Sequence, residues 1–109
     1  MKNYILQFTQ EYAIKNNLDI VDLHILDYMI KWFGSGFAVQ RRLDNKGTVQ
    51  DDMYYLFSQN KLIQDMPILN LQIRAVQKRF KKYKELGIIQ TKLDHQRLYI
   101  NFTNIFDFM

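Results

Sequence analysis

The sequence predicts one domain of the α+β class, mainly α-helical, in which two helices joined by a short turn are followed by two antiparallel strands. Apolar residues recur at helical spacing in several segments before Gly87, and they alternate with polar residues near residue 100. The chain has 109 residues, of which 48% are hydrophobic, so it can bury one modest core. The spacing of the apolar residues and the length of the chain together predict the α+β class.

The first part of the chain is predicted to contain two helices. Apolar and aromatic residues at helical spacing predict an amphipathic N-terminal helix within residues 1–17, ended by Asn16-Asn17. A second helix is predicted over residues 19–33, because its apolar residues keep the same spacing and Gly34-Ser35-Gly36 follows it. Residues 37–52 suit a long loop or a loosely paired hairpin.

The middle of the chain predicts a strand and then a helix-turn-helix over residues 58–86. Residues 53–57 form a short aromatic run with β character. Ser58 is a suitable N-cap for a short helix. Pro67 disfavours continuation of that helix, and Asn70 can adopt the left-handed conformation that a tight turn between helices requires. A second helix over residues 72–86 completes the motif.

This second helix is amphipathic and basic. One stripe is apolar and consists of Ile73, Val76, Phe80, Tyr83 and Leu86. At about 100° per residue, the opposite face carries Arg74, Lys78 and Lys81, with Gln77 and Lys82 beside them. Arg79 and Lys84 lie nearer the apolar stripe and are interpreted as covering it.

Two strands are predicted after this helix. Gly87 is suitable as a C-cap, and the residues that follow it favour a strand. Residues 93–96 are a candidate turn, although they lack the glycine that marks many hairpins. Apolar and polar residues then alternate up to Phe102, so residues 87–102 are predicted to form a wing.

The excess positive charge is concentrated around the basic helix. Residues 71–97 contain eight Lys/Arg and two Asp/Glu, whereas residues 1–70 and 98–109 each carry a net charge of −1. A polyanion is the natural partner for such a segment, and a solvated helix surface is the alternative.

The segment ILNLQIRAVQKRFKKYKELGII, residues 68–89, resembles the helix-turn-helix core of winged-helix domains in phage and plasmid replication initiators and replisome organisers. The preceding YYLFSQNKLIQDMPIL is similar to the aromatic strand, Ser-started helix and turn of phage members. The resemblance covers residues 54–102 and extends loosely to the 19–33 helix. Gln72 departs from it where a Ser or Thr N-cap is usual, and Asn70 departs where Gly is frequent.

The resemblance implies a winged helix-turn-helix with an extra N-terminal helix and a two- to three-stranded antiparallel wing sheet. It further implies a replication-initiation module that binds double-stranded DNA through helix 72–86 and the wing. A helix fits the major groove, where its N-terminal half approaches base edges and its flanks approach phosphates. The candidate base contacts are Arg74, Gln77 and Lys78, and the candidate phosphate contacts are Lys81, Lys82, Lys92 and Arg97.

Two other functions remain open, namely a transcriptional regulator of the same fold and a winged-helix module that binds an acidic protein. A homodimer or a replication-protein partner also remains open. The apolar tail, residues 103–109, is compatible with folding back on the domain, with dimerisation, or with truncation of a longer protein.

Enzymatic chemistry, a cofactor, a metal and a small-molecule substrate are not expected. The chain has no cysteine, and neither His24 nor His95 has a second histidine at ligand spacing. We expect His24 to be a core or boundary residue and His95 a turn residue. The carboxylate pairs 19/22 and 51/52 lack the partners of a catalytic site.

The aromatic run within residues 53–57 could form a base-stacking platform for single strands, but its position between helices favours core packing. The N-terminus lacks the apolar centre of a signal peptide, and no apolar run approaches the roughly 20 residues of a membrane span. The absence of cysteine favours the cytoplasm. We therefore expect a cytoplasmic protein that does not contact a membrane.

Overall fold

Four helices and a four-stranded antiparallel sheet make up an α+β fold in the part of the chain that the computed structural model describes, residues 4–43 and 52–102. The helices are α1 (Gln10–Lys15), α2 (Ile20–Gly34), α3 (Gln59–Asp65) and α4 (Ile73–Glu85). The strands are β1 (Tyr4–Ile5), β2 (Phe8–Thr9), β3 (Gln40–Leu43), β4 (Asp52–Leu56), β5 (Ile89–Asp94) and β6 (Arg97–Phe102). β1 and β2 form a separate two-stranded hairpin.

The sheet has the strand order β3-β4-β6-β5, and each neighbouring pair is antiparallel. Ile89 and Ile100 are buried on one face, where Phe33 of α2 stacks on Tyr55 with ring centroids 4.7 Å apart. The predicted two- to three-stranded sheet is wrong by one strand, because β3 pairs with β4. This pairing agrees with the loosely paired hairpin, which is one of the two alternatives predicted for residues 37–52. β3 has the sequence QRRL, so no apolar alternation announces it, and backbone pairing forms this strand.

The N-terminal helix is shorter than predicted, because residues 4–9 form a hairpin and α1 begins only at Gln10. Phe8 is fully buried, and the Thr9 hydroxyl accepts a hydrogen bond from the Tyr12 backbone N–H at 3.2 Å. This N-cap fixes the start of the helix at Gln10. The spacing that suggested a helix from residue 4 onwards is therefore produced by a turn between two short strands.

The second predicted helix is confirmed as α2, which occupies the centre of the core. Asp19 is its N-cap and forms a capping box with Asp22. Leu26 and Met29 on its inner face are completely buried. The predicted range, residues 19–33, matches the observed helix within one residue at each end.

The two helices predicted within residues 58–86 and the short turn between them are present. The Ser58 hydroxyl caps α3 by accepting from the Lys61 backbone N–H at 3.1 Å. A 3-10 turn, Pro67–Leu69, then leads to Asn70, which is left-handed with φ 51° and ψ 44°. Gln72 is the N-cap residue of α4, and its side chain makes no capping hydrogen bond within the described part of the chain.

The inner stripe of α4 is narrower than predicted. Val76, Phe80 and Tyr83 are buried, whereas Ile73 and Leu86 are 36% and 37% exposed. The difference arises because the two outer residues lie in the first turn and at the C-cap, where less of the core covers the helix.

A two-residue turn joins β5 and β6, so the predicted turn over residues 93–96 is too long. Leu93 and Asp94 belong to β5, and His95 and Gln96 form the turn with φ values of 50° and 64°. A type I′ turn requires positive φ at both central residues. Gly87, with φ 75°, separates α4 from β5 as predicted.

The aromatic run packs on both faces of the sheet. Tyr55 and Phe57 contact Phe33 of α2, which confirms core packing for these two rings. Tyr54 is completely buried on the opposite face, beside Lys92, so it is not an exposed stacking platform. The predictions for residues 44–51 and for the tail 103–109 lie outside the described residues. Among the described residues, no helix is long and apolar enough to cross a membrane.

Candidate nucleic-acid interface

The outward face of α4 carries a cationic stripe, which consists of Arg74, Lys78 and Lys81. All three side chains are exposed. Their spacing of four and three residues places them on one side of the helix, opposite the buried residues. Among the described residues, no carboxylate lies within 4 Å of these three charged groups. The stripe therefore presents three charges that form no ion pair within the described part of the chain.

A shallow groove of about 520 Å³ runs along one side of the stripe. Its lining residues are Ala75, Lys78, Arg79, Lys81, Lys82 and Glu85. The groove lies on the side of α4 that faces the start of α2, because Arg79 and Lys82 contact that helix. Four of the six lining side chains are cationic, but Arg79 and Lys82 are paired with Asp22. The charge that this groove offers to an anionic ligand therefore comes from Lys78 and Lys81.

Gln77 lies on the other flank of the stripe and is exposed. Its side chain makes no hydrogen bond to the rest of the described chain. An amide that is free in this way can donate and accept hydrogen bonds to a ligand.

Lys82 differs from the other predicted phosphate contacts, because its charge is engaged within the protein. Its ammonium group donates to the backbone carbonyl of Asn17 and lies 3.2 Å from Oδ2 of Asp22. Arg79 is engaged in the same way: its Nη1 donates to Oδ1 of Asp22 at 2.7 Å and to Oδ1 of Asp19 at 2.9 Å. The Asp22 cluster consists of five residues, namely Asp19, Asp22, Arg79, Lys82 and Tyr83.

Asp22 is the centre of this cluster, and its side chain is 0% exposed. Oδ1 accepts from the Tyr83 hydroxyl at 2.5 Å and from Arg79, and Oδ2 accepts from Lys82 and from the Asp19 backbone N–H at 3.0 Å. An ionised carboxylate offers about four acceptor positions. All four are used here, which explains how a charged side chain can be buried without a deficit of hydrogen bonds.

The cluster holds Asp22 in its ionised form. Burial opposes ionisation, but the hydrogen bonds from Tyr83 and Arg79 outweigh it and lower the pKa of Asp22. Burial and the bond to Asp22 raise the pKa of Tyr83 well above its usual range, so the phenol remains a donor. The guanidinium of Arg79 also has a raised pKa despite partial burial, because two carboxylates face it. α2 and α4 are therefore joined by a charged contact at neutral pH.

Sequence reasoning missed the Asp22 cluster, although one signal for it exists. The sequence shows Asp19 and Asp22 as a carboxylate pair without catalytic partners. An Asp-x-x-Asp pattern directly before an apolar helix is also a capping box, which places the second carboxylate near the start of a helix. The partners Arg79 and Lys82 are some 60 residues away, so the pattern alone could not name them.

The β5–β6 hairpin carries the other two predicted cations, Lys92 and Arg97. Lys92 is half-buried, with its Nζ 5.5 Å from the centroid of the Tyr54 ring. Arg97 is exposed and stands opposite Asp94 in the strand register. Lys92 and Asp94 are two residues apart on β5, so their side chains point to the same face of the hairpin. Arg97 is the cross-strand partner of Asp94 and therefore lies on that face too.

Arg41 of β3 also reaches this face, which the sequence did not predict. Its guanidinium pairs with Asp94, and a hydrogen bond to Tyr99 raises the pKa of Arg41. Asp94 therefore pairs with Arg41 and also stands opposite Arg97 in the strand register. The remaining positive charge on this face comes from Lys92 and Arg97.

The two histidines stand apart from each other. His24 is half-buried beside a groove between α2 and α3, in agreement with a boundary residue. His95 is exposed in the hairpin turn, with its Nε2 3.9 Å from Asp94. Within residues 4–43 and 52–102, no group of three or more His, Asp or Glu side chains could hold a metal ion.

Comparisons of the chain with protein-family models, with curated proteins and with solved structures find no match.

Proposed function

We propose that this protein is a winged helix-turn-helix domain that binds duplex DNA through α4 and the β5–β6 hairpin, as a replication-initiation module of a phage or plasmid. The proposal implies that it acts in the cytoplasm, by binding and not by catalysis. Transcriptional regulation would use the same contacts and is the neighbouring alternative.

The order of the elements supports this fold. Helix α2 precedes β4, the α3–α4 pair follows, and β5 and β6 form the terminal hairpin. β6 lies between β4 and β5, so the hairpin extends a sheet that begins before the helix pair. A helix-turn-helix followed by a hairpin on the same sheet is the arrangement that the term winged helix describes.

The single observation that carries the function is the cationic stripe. Arg74, Lys78 and Lys81 lie on the exposed face of the second helix of the pair, and none of them forms an ion pair with a carboxylate of the described chain. The major groove of DNA admits an α-helix and is flanked by phosphates. A helix with one buried side and one free cationic side has the shape and charge for that groove.

The residues divide into two roles under this proposal. Arg74, Gln77 and Lys78 contact base edges, because they lie in the first half of α4 and can donate to guanine or pair with adenine. The phosphate contacts are Lys81, Lys92 and Arg97. We leave Lys82 out of this second group, since its ammonium group is bound by Asp22 and Asn17.

Binding to duplex DNA at several salt concentrations tests the proposal. Three phosphate contacts predict a slope of log affinity against log salt of about −2.7, which is a loss of about 40-fold between about 50 and 200 mM salt. Fluorescence anisotropy with labelled mixed-sequence duplexes measures this slope. No binding at low salt would refute the DNA proposal and favour a module that binds an acidic protein.

Two variants separate the roles of the cations. Lys81→Ala should make the slope shallower by about one unit, and Arg74→Ala should relax the base preference by about 1–3 kcal/mol at one position. Selection from a pool of random duplexes measures that preference. Lys31→Ala is the control, because Lys31 is an exposed lysine on α2 that pairs with Asp27 and lies outside α4. An equal slope change in the control would contradict the assignment.

A further inference from the structure

We infer that Asp22 is a specificity-determining positioning residue, which holds Arg79 and Lys82 away from DNA phosphates and thereby limits the binding charge of α4 to the cationic stripe. This inference rests on the proposed function. It assigns a role in DNA binding to a buried carboxylate of α2 that contacts no DNA itself.

The first step is that the ion pair with Asp22, and not burial, keeps Lys82 away from a DNA phosphate. Its side chain is 34% exposed, and it lines the same groove as Lys78 and Lys81. On the helix it lies about 40° from Lys78, next to the stripe. A lysine in that position could reach a phosphate, but its ammonium group points instead to Asp22 and to the carbonyl of Asn17.

The second step is that Asp22 contacts both cations at once, together with Asp19 in the case of Arg79. Arg79 is 26% exposed, and its guanidinium spans Asp19 and Asp22. Because the four acceptor positions of Asp22 are all used, neither cation can move without leaving a buried charge under-satisfied. The Tyr83 hydroxyl adds a contact from the buried side of α4, so the cluster also fixes the rotation of that helix on α2.

The third step concerns specificity. Phosphate contacts raise affinity for every sequence equally, whereas base contacts distinguish sequences. Two additional free cations on α4 would therefore strengthen non-specific binding more than specific binding. A carboxylate that removes them improves the ratio between the two, and the fixed helix rotation keeps Arg74 and Gln77 directed towards base edges.

Two adjacent lysines provide the decisive comparison. Lys81 is exposed and unpaired within the described chain, whereas Lys82 is bound to Asp22. Lys81→Ala should reduce the salt slope by about 0.9, and Lys82→Ala should leave it unchanged. Both are measured by anisotropy on the full chain with the same mixed-sequence duplex.

Asp22→Asn should change the salt slope in the opposite direction to Lys81→Ala. Removal of the charge releases Lys82, whereas Arg79 keeps its ion pair with Asp19, so the salt slope should steepen by about 0.9. The loss of affinity between about 50 and 200 mM salt should then grow by about 3.5-fold. The ratio of specific to non-specific affinity should fall. A residue with a purely structural role would weaken binding without steepening the slope.

Asp27→Asn is the matched control. Asp27 is also a buried carboxylate of α2, but its partners are Gln7 and Lys31, and neither belongs to α4. Its replacement should not change the slope. Circular dichroism checks that each variant is folded, and if Asp22→Asn is not, the comparison of the two lysine variants decides alone.

The outcomes distinguish this inference from the proposed function. Absence of DNA binding by the parent chain overturns both. Binding by the parent with an equal loss of slope in Lys82→Ala and Lys81→Ala overturns only the inference, as does an unchanged or shallower slope in folded Asp22→Asn. An unchanged slope in Lys82→Ala together with a steeper slope in Asp22→Asn supports it.

Discussion

Replacement of Tyr83 by phenylalanine should destabilise the fold by about 2 kcal/mol, because it removes one hydrogen bond to a buried charge. The Tyr83 ring is completely buried, and its hydroxyl donates to Asp22 at 2.5 Å. Phenylalanine retains the ring packing, so the loss is confined to the hydroxyl. Asp22 would keep three of its four hydrogen bonds but would remain buried and charged.

Urea unfolding followed by circular dichroism measures this loss. The midpoint should fall while the slope m stays constant, since the surface exposed on unfolding is the same. In a thermal scan the expected decrease is about 8 °C for a domain of this size.

Tyr28→Phe is the matched control for this prediction. The Tyr28 hydroxyl also donates to a carboxylate, Asp65, at 2.7 Å, but the Asp65 side chain is 41% exposed. Water can replace this bond, so the loss should be about 0.5 kcal/mol. If Tyr83→Phe cost no more than Tyr28→Phe, the reasoning that links burial of Asp22 to the strength of the cluster would be refuted.

Three further predictions concern the ends of elements and the pH dependence of stability. Gln72→Ser should stabilise the protein by about 1 kcal/mol in urea unfolding by adding the missing N-cap of α4, whereas Gln72→Ala should give no gain. Gln96→Gly should add about 0.5–1 kcal/mol in the same assay, because φ at this turn position is 64°; a loss of stability would contradict the strain argument. The pKa of Asp22 is lower in the folded state than in the unfolded state, so its contribution is present above about pH 4 and is lost as the pH falls through the folded-state value. Acid unfolding should therefore begin at higher pH in Tyr83→Phe, and a coincident acid transition would argue against this linkage.

Much of the fold could be predicted because its signals are local. Ser58 caps its own helix, Asn70 adopts its own left-handed conformation, and Gly87 ends α4, and none of these depends on a distant partner. The N-terminal hairpin could not be predicted in this way, and strand β3 belongs to only one of the two alternatives, a long loop or a loosely paired hairpin, that residues 37–52 allow. In the N-terminal hairpin, a tight turn produces the same apolar spacing as a helix. Strand β3 has no apolar alternation, so only its pairing with β4 defines it.

The exposed part of the candidate interface was likewise accessible from sequence. At 3.6 residues per turn, a helix with Val76 and Phe80 inward must direct Arg74, Lys78 and Lys81 outward, and the structure has all five in these positions. Helical geometry alone therefore identifies the cationic stripe, whatever the stripe binds.

The sequence by itself determined which side of α4 is apolar and where most of the positive charge lies, since both follow from the repeat of one helix. Only the tertiary structure decided which of those charges are free. Lys81 and Lys82 are adjacent residues of the same type. Only Lys82 is paired, because α2 brings Asp22 within 3.2 Å of its ammonium group. Coulomb interactions act over distance in space, and a separation of 60 residues in sequence does not reveal it.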